Sequence, residues 1–139
     1  MKILFYLDTC IWRDYFEDRK DGIQPLGEFA FQFLKNCEKK EYKILVSDVV
    51  IEELKSHYTQ EKINEVFSSF EKFLMKISVS NEQIKEAQKI SEKNNETHFN
   101  DALHAVLSRD NKATMITRDK HFETLRAIVE VEKPENAIL

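Results

Sequence analysis

Residues 2–8 read KILFYLD, in which an apolar run from Ile3 to Leu7 ends on the carboxylate of Asp8. A short apolar run without polar alternation is typical of a strand buried on both faces, as in parallel sheets. Asp8 then lies at the carboxyl end of that strand, and in open α/β sheets this edge carries the functional site. The stretch therefore predicts a parallel sheet and the edge at which to look for chemistry.

Strand and helix patterns alternate along the rest of the chain. Short apolar runs predict further strands at 43–46, 74–79, 113–117 and 127–131. Apolar residues at helical spacing predict helices at 9–18, 26–40, 48–58, 60–73, 81–94, 99–110 and 120–126. This alternation predicts one α/β domain over residues 1–139, with 133–139 as a C-terminal tail. We expect three α/β/α layers around a mainly parallel sheet of four to five strands.

Glycine is scarce in this chain of 139 residues, which has 2 Gly and 2 Pro. Neither G-x-G-x-x-G nor a P-loop is present, so a glycine-based phosphate cradle is excluded. Tight hairpins also favour Gly, which argues against an all-β fold. Both glycines lie in the stretch Gly22–Gly27, which we predict to be a flexible segment near the mouth of the site.

Net charge and polar composition limit the class of function. The net charge of −4 argues against nucleic-acid binding through bulk charge and favours a local site acting through metal ions. No apolar run approaches the ~20 residues of a membrane helix, and no signal peptide is evident, so we expect a cytoplasmic protein without membrane contact. The two cysteines form no C-x-x-C pair, which argues against structural zinc. We expect ordinary polar roles, at the surface or partly buried, for His57, His98, His104 and His121.

Acidic side chains follow two of the predicted strands and open a helix. Asp8 ends the first strand, Asp119 follows the strand at 113–117 by two positions, and Asp101 lies at the start of the helix at 99–110. Each acid taken singly has an ordinary role at a helix N-terminus. Together, carboxylates at a buried sheet end repel one another unless a cation neutralises them. Oxygen ligands without His or Cys favour Mg²⁺ or Mn²⁺.

Two adjacent glutamates, Glu52 and Glu53, lie on the predicted helix at 48–58. At about 100° per residue, Glu53 lies at the edge of the apolar face, whereas Glu52 points almost directly away from it. We therefore expect Glu53 to be the inward acid.

Four short motifs occur in order along the chain: LDTCIW at 7–12, SDVVIEEL at 47–54, NDALHAVLS at 100–108 and MITRDKHF at 115–122. Together they resemble the motifs of PIN-domain nucleases, the fold of the toxin in VapBC-type toxin–antitoxin pairs. The resemblance covers nearly the whole chain, to about residue 131.

The resemblance implies a Mg²⁺- or Mn²⁺-dependent endoribonuclease acting on single-stranded or structured RNA. By this resemblance, the catalytic and metal-binding acids are Asp8, Glu53, Asp101 and Asp119. The same resemblance implies that the supporting polar residues are Thr9, Ser47 and Thr117. Nearby cations that could pair with flanking phosphates are Arg13, Arg118 and Lys120. An antitoxin protein and a second copy of the chain are the partners it implies.

The sequence is also compatible with two other functions. A PIN-like binding module would hold a structural ion, or none, and dock a partner through the aromatic-rich segment 26–37 or the helix at 60–73. A phosphatase- or receiver-like domain would use Asp8, but that class needs a Lys after a late strand. Lys112 precedes the strand at 113–117, and the position of Lys120 fits only loosely.

Overall fold

The structure is a computed structural model, and it describes residues 3–137. The strands are β1 (Leu4–Leu7), β2 (Lys43–Ser47), β3 (Leu74–Ile77), β4 (Thr114–Ile116) and β5 (Val131–Glu132). The helices are α1 (Thr9–Glu17), α2 (Leu26–Lys40), α3 (Asp48–Lys55), α4 (Gln60–Ser69), α5 (Asn81–Lys93), α6 (Phe99–Asp110) and α7 (Pro134–Ala137). Two 3₁₀ segments span Glu71–Phe73 and Lys120–Leu125.

The strands form one sheet with the order β3-β2-β1-β4-β5, and every neighbouring pair is parallel. This confirms the predicted α/β class with a parallel central sheet. The connections step from β1 through β2 to β3 and then cross back to β4 on the other side of β1. Because such crossovers are right-handed, α1 to α4 cover one face of the sheet and α5 and α6 the other.

The core is built on the apolar run that opens the chain. Tyr6 and Leu7 of β1 are completely buried, because β1 is a central strand covered on both faces. Phe5 packs edge-on against Phe33 of α2, with ring centroids 5.1 Å apart. Burying one such side chain contributes about 1.5–3 kcal/mol. Among residues 3–137, no helix has the length and apolar character to cross a membrane.

Several predicted boundaries are wrong in detail. The strand predicted at 127–131 is confined to β5, because the amide of Ile128 and that of Val129 both donate to the carbonyl of Leu125 and form a further helix-like turn. The helix predicted at 60–73 stops at Ser69 and gives way to a 3₁₀ turn. The helix predicted at 48–58 ends at Lys55.

The C-terminal region predicted as a tail contains the short helix α7, which packs on α2. The remaining residues of that region, 138–139, and residue 2 of the first predicted strand lie outside the described residues.

Candidate metal centre

The carboxyl ends of β1 and β4 meet at the point where the strand order reverses. The amide of Asp8, the residue after β1, donates to the carbonyl of Ile116 at the end of β4, with an N···O distance of 2.9 Å. Asp119 follows β4 in the chain, so the two acids are brought to one edge of the sheet. This is the edge at which open α/β sheets bind ligands.

A cleft of about 390 Å³ opens at this edge, and we call it the acid cleft. Its lining residues are Asp8, Thr9, Cys10, Arg13, Arg19, Glu53, Ser56, His57, Asp101 and Asp119. The structure thus brings all the predicted acids together from β1, α3, α6 and the segment after β4.

Asp8 is nearly buried and is held by two neighbours. Its Oδ2 accepts a hydrogen bond of 2.8 Å from the Thr117 hydroxyl and one of 3.1 Å from the Cys10 thiol. The Thr117 hydroxyl oxygen in turn accepts the amide of Asp119 at 3.0 Å. Thr117, predicted as a supporting residue, therefore links the Asp8 carboxylate to the backbone of Asp119.

Asp101 and Asp119 come close to His121, for which the sequence predicted only an ordinary polar role. One donor atom from each of these three side chains lies within 4.8 Å of the others. Burial raises the pKa of Asp101, and the charges of Asp119 and Asp8 raise it further. These carboxylates are close enough to repel one another, which is the environment that a cation relieves.

Glu53 turns inward as its position on α3 predicts, with 31% of its side chain exposed against 72% for Glu52. Its Oε1 accepts the Thr9 hydroxyl at 2.7 Å and lies 2.6 Å from Nε2 of His104. Burial alone would raise the pKa of Glu53, but the hydrogen bonds from His104 and Thr9 outweigh it and the pKa is lowered. Glu53 is therefore held as a carboxylate.

Beneath Glu53 lies a buried chain of polar side chains, which we call the His104 network: Thr9, Glu53, His104, Tyr6 and Ser47. The Tyr6 hydroxyl lies 2.6 Å from Nδ1 of His104 and 2.6 Å from the Ser47 hydroxyl. Ser47 also caps α3 by accepting the amide of Val50. Burial raises the pKa of the Tyr6 phenol, so Tyr6 stays protonated.

The expected ordinary polar role for His104 is wrong, since the side chain is 1% exposed and hydrogen-bonded on both ring nitrogens. Burial opposes its protonation, but the hydrogen bond to Glu53 and the nearby acids raise the pKa of His104 overall. One signal was available in the sequence, because His104 follows Asp101 by three residues and shares its helix face.

The predicted phosphate-contacting cations have different positions. Arg13 lines the acid cleft, where its Nε donates to Glu17 at 3.3 Å. Lys120 is exposed at the start of the second 3₁₀ segment. Arg118 does not line the cleft, because it forms paired hydrogen bonds to Glu135 of α7 at 2.9 and 2.6 Å.

Arg19 was not predicted, yet it lines the acid cleft beside Arg13. Its guanidinium donates to Glu17 at 3.1 Å, so one carboxylate holds both arginines at the cleft wall. The segment between the helices predicted at 9–18 and 26–40 gave no sign of this position, because the approach of Arg19 to the cleft depends on how α1 ends.

The chain matches the PIN domain over residues 5–128. The chain belongs to the PIN-domain family. PIN domains are generally nucleases and generally use divalent metal ions. The donor set of Asp101, Asp119 and His121 fits such an ion in this PIN domain, because the donor atoms are already within 4.8 Å of one another.

Solved structures share the fold of this PIN domain. VapBC2 from Rickettsia felis, bound to a DNA fragment from its promoter, has a TM-score of 0.70 at 19% identity, covering 94% of this chain and 98% of its own. A toxin–antitoxin complex from Klebsiella pneumoniae has a TM-score of 0.67 at 18% identity, covering 96% and 98%. FitAcB from Neisseria gonorrhoeae has a TM-score of 0.62 at 15% identity, covering 95% and 99%. A comparison with curated proteins gave no match.

Proposed function

We propose that this PIN domain is a divalent-metal-dependent endoribonuclease that hydrolyses phosphodiester bonds in RNA. The observation that supports the proposal is the convergence of Asp8, Glu53, Asp101 and Asp119 on one cleft from separate elements of the fold. The residues that would hold Mg²⁺ or Mn²⁺ are Asp101 and Asp119, with Asp8 beside them. A bound ion would supply a water of lowered pKa and positive charge for the scissile phosphate.

The side chains of the cleft have separate tasks in this proposal. Thr117 holds the Asp8 carboxylate in a fixed relation to the backbone of Asp119, so Asp8 needs little reorganisation. Glu53, kept ionised by Thr9 and His104, can accept a hydrogen bond from the attacking water and orient it. Arg13 and Arg19 present guanidinium groups at the cleft wall, where they can pair with phosphates next to the scissile bond.

The first test compares RNA cleavage by the wild-type protein and by Asp101→Asn, with Mg²⁺ and with Mn²⁺. We expect cleavage of an end-labelled RNA pool by the wild type and a loss of about 100-fold or more in the variant, because a charge that acts on the reacting groups is removed. Asp21→Asn is the matched control, since Asp21 is exposed in the turn between α1 and α2. Absence of cleavage by the wild type with either ion would refute the enzyme and favour a binding module.

We further propose that the chain acts as the toxin of a toxin–antitoxin pair. Support comes from its fold, which it shares with the Rickettsia felis, Klebsiella pneumoniae and Neisseria gonorrhoeae structures, the second of which is described as a toxin–antitoxin complex. Induced expression in a bacterial host should then arrest growth, and expression of Asp101→Asn to the same level should not. Equal growth with both proteins would refute the toxin role without affecting the nuclease assay.

A further inference from the structure

His121 contributes an imidazole to an otherwise acidic group. Its Nδ1 lies 2.9 Å from Oδ1 of Asp119, and the three-residue group it forms with Asp101 and Asp119 has its donor atoms within 4.8 Å. The His121 side chain is 58% exposed, so its ring has room to reorient. The ring of His98 meets it edge-on, with centroids 5.7 Å apart.

The backbone places this imidazole beside Asp119 in any rotamer of the His121 side chain. Asp119 caps the second 3₁₀ segment, because its Oδ1 accepts the amide of His121 at 2.9 Å. The side chain of residue 121 therefore starts from a position next to the carboxylate. Asp101 reaches the same place from the first turn of α6.

The spacing between His121 and Asp119 fits shared coordination of one ion. Neighbouring ligand atoms on an octahedral ion with bonds of about 2.1 Å are ~3 Å apart, close to the separation of Nδ1 and Asp119 Oδ1. Mg²⁺ is bound through oxygen ligands, whereas Mn²⁺ takes the same oxygen ligands but, as a first-row transition ion, also accepts an imidazole nitrogen beside them. A hydrogen bond from Nδ1 to Asp119 would have the same length, and the experiment below separates the two.

We propose that His121 is a nitrogen ligand of the ion held by Asp101 and Asp119, and that the site therefore selects Mn²⁺ over Mg²⁺. The proposal rests on the proposed function in sharing its metal site, but it concerns binding alone. It can therefore be tested on the protein without RNA.

The test is pulsed electron paramagnetic resonance of the Mn²⁺-loaded protein, with metal affinity measured by calorimetry. We expect nitrogen modulation from a directly bound ¹⁴N in the wild type and its loss in His121→Asn. The ratio of Mn²⁺ to Mg²⁺ affinity should fall about 10-fold or more in that variant. Mutating residues that only hydrogen-bond to a metal ligand already changes metal affinity by about 10–100-fold. Asn at position 121 retains the backbone amide that Asp119 accepts.

His57→Asn is the matched control, because His57 lines the acid cleft but is not part of the donor group. It should retain both the nitrogen signal and the affinity ratio. Loss of the signal in His57→Asn alone would assign the nitrogen to His57 and overturn the proposal. Circular dichroism melting of all three proteins establishes that each is folded.

The remaining outcomes separate this inference from the proposed function. A wild type that binds Mn²⁺ and cleaves RNA but shows no nitrogen modulation, or a signal unchanged in His121→Asn, overturns the inference and leaves the nuclease standing. Nitrogen modulation lost in His121→Asn, in a protein that cleaves no RNA, supports the inference and refutes the nuclease. A wild type that binds no Mn²⁺ overturns the inference.

Discussion

His104 lies fully buried between β1 and α3, with a polar partner on each ring nitrogen. A buried polar group destabilises the folded protein unless it is hydrogen-bonded. Tyr6 and Glu53 therefore need His104 as a hydrogen-bond partner, and His104 needs them. The network ends in Thr9 and Glu53 at the wall of the acid cleft. The side chain that holds Glu53 is thereby anchored to the core.

We predict that His104→Leu lowers the free energy of unfolding by about 1–3 kcal/mol or more. The substitution leaves the Tyr6 hydroxyl without one partner and the Glu53 carboxylate with the Thr9 and Asn100 hydrogen bonds alone. Urea denaturation measures the change.

Tyr6→Phe is the companion variant, because it keeps the ring but removes the hydroxyl between Ser47 and His104. It should destabilise the protein while leaving the contact between His104 and Glu53 in place. RNA cleavage should therefore fall more in His104→Leu than in Tyr6→Phe. Urea midpoints equal to that of the wild type in both variants would contradict a stabilising role for the His104 network.

The connection between α1 and α2 is a short hydrogen-bonded turn. Asp21 and Gln24 exchange two backbone hydrogen bonds of 2.9 Å, and the amide of Gly27 donates to the carbonyl of Arg19 at 2.9 Å. At Gly27 the end of α1 comes so close that an added Cβ would lie 2.6 Å from the Cα of Asp18. The turn therefore depends on glycine at this position.

We predict that Gly27→Ala destabilises the protein, although Ala is favoured over Gly in a helix by about 1 kcal/mol. The added methyl group would clash with the backbone at Asp14 and Asp18 and force α1 and α2 apart. Gly22→Ala is the comparison, because nothing lies within 4 Å and only the positive φ of 60° opposes it. That strain costs about 1–2 kcal/mol. A Gly27→Ala protein more stable than wild type in urea would show that the helices do not approach this closely.

The whole molecule carries a net charge of −4 and gathers carboxylates at one edge of its sheet. A protein of this charge has little general attraction for RNA, so the affinity has to arise locally, at the arginines and the metal site. The same crowding means that the metal-free fold bears a repulsion which a bound cation removes.

We predict that Mn²⁺ stabilises the folded protein by about 2.7 kcal/mol at ~100 times its dissociation constant, because the ion binds the assembled cleft and not the unfolded chain. Calorimetric melting with Mn²⁺ and with EDTA measures this gain. Asp119→Asn should lose most of it, and Asp21→Asn should retain it. A melting temperature independent of Mn²⁺ in the wild type would contradict an ion at this cleft.

Local patterns in the chain were enough to predict the α/β class, the parallel sheet and the inward direction of Glu53. Each of these depends on residues a few positions apart, where helical and strand periodicity hold. The apolar run before Asp8 also placed that acid at the end of a strand, because length and burial alone define such a run.

Tertiary packing decided the partners of the charged and polar side chains. Tyr6 and His104 are 98 residues apart, Thr117 and Asp8 are 109 apart, and Arg118 meets Glu135 of a helix that the sequence presented as a tail. The extent of β5 was likewise set by the turn before it. Periodicity reports which face of an element is buried, but only the sheet order and the helix packing bring particular donors and acceptors within hydrogen-bond distance.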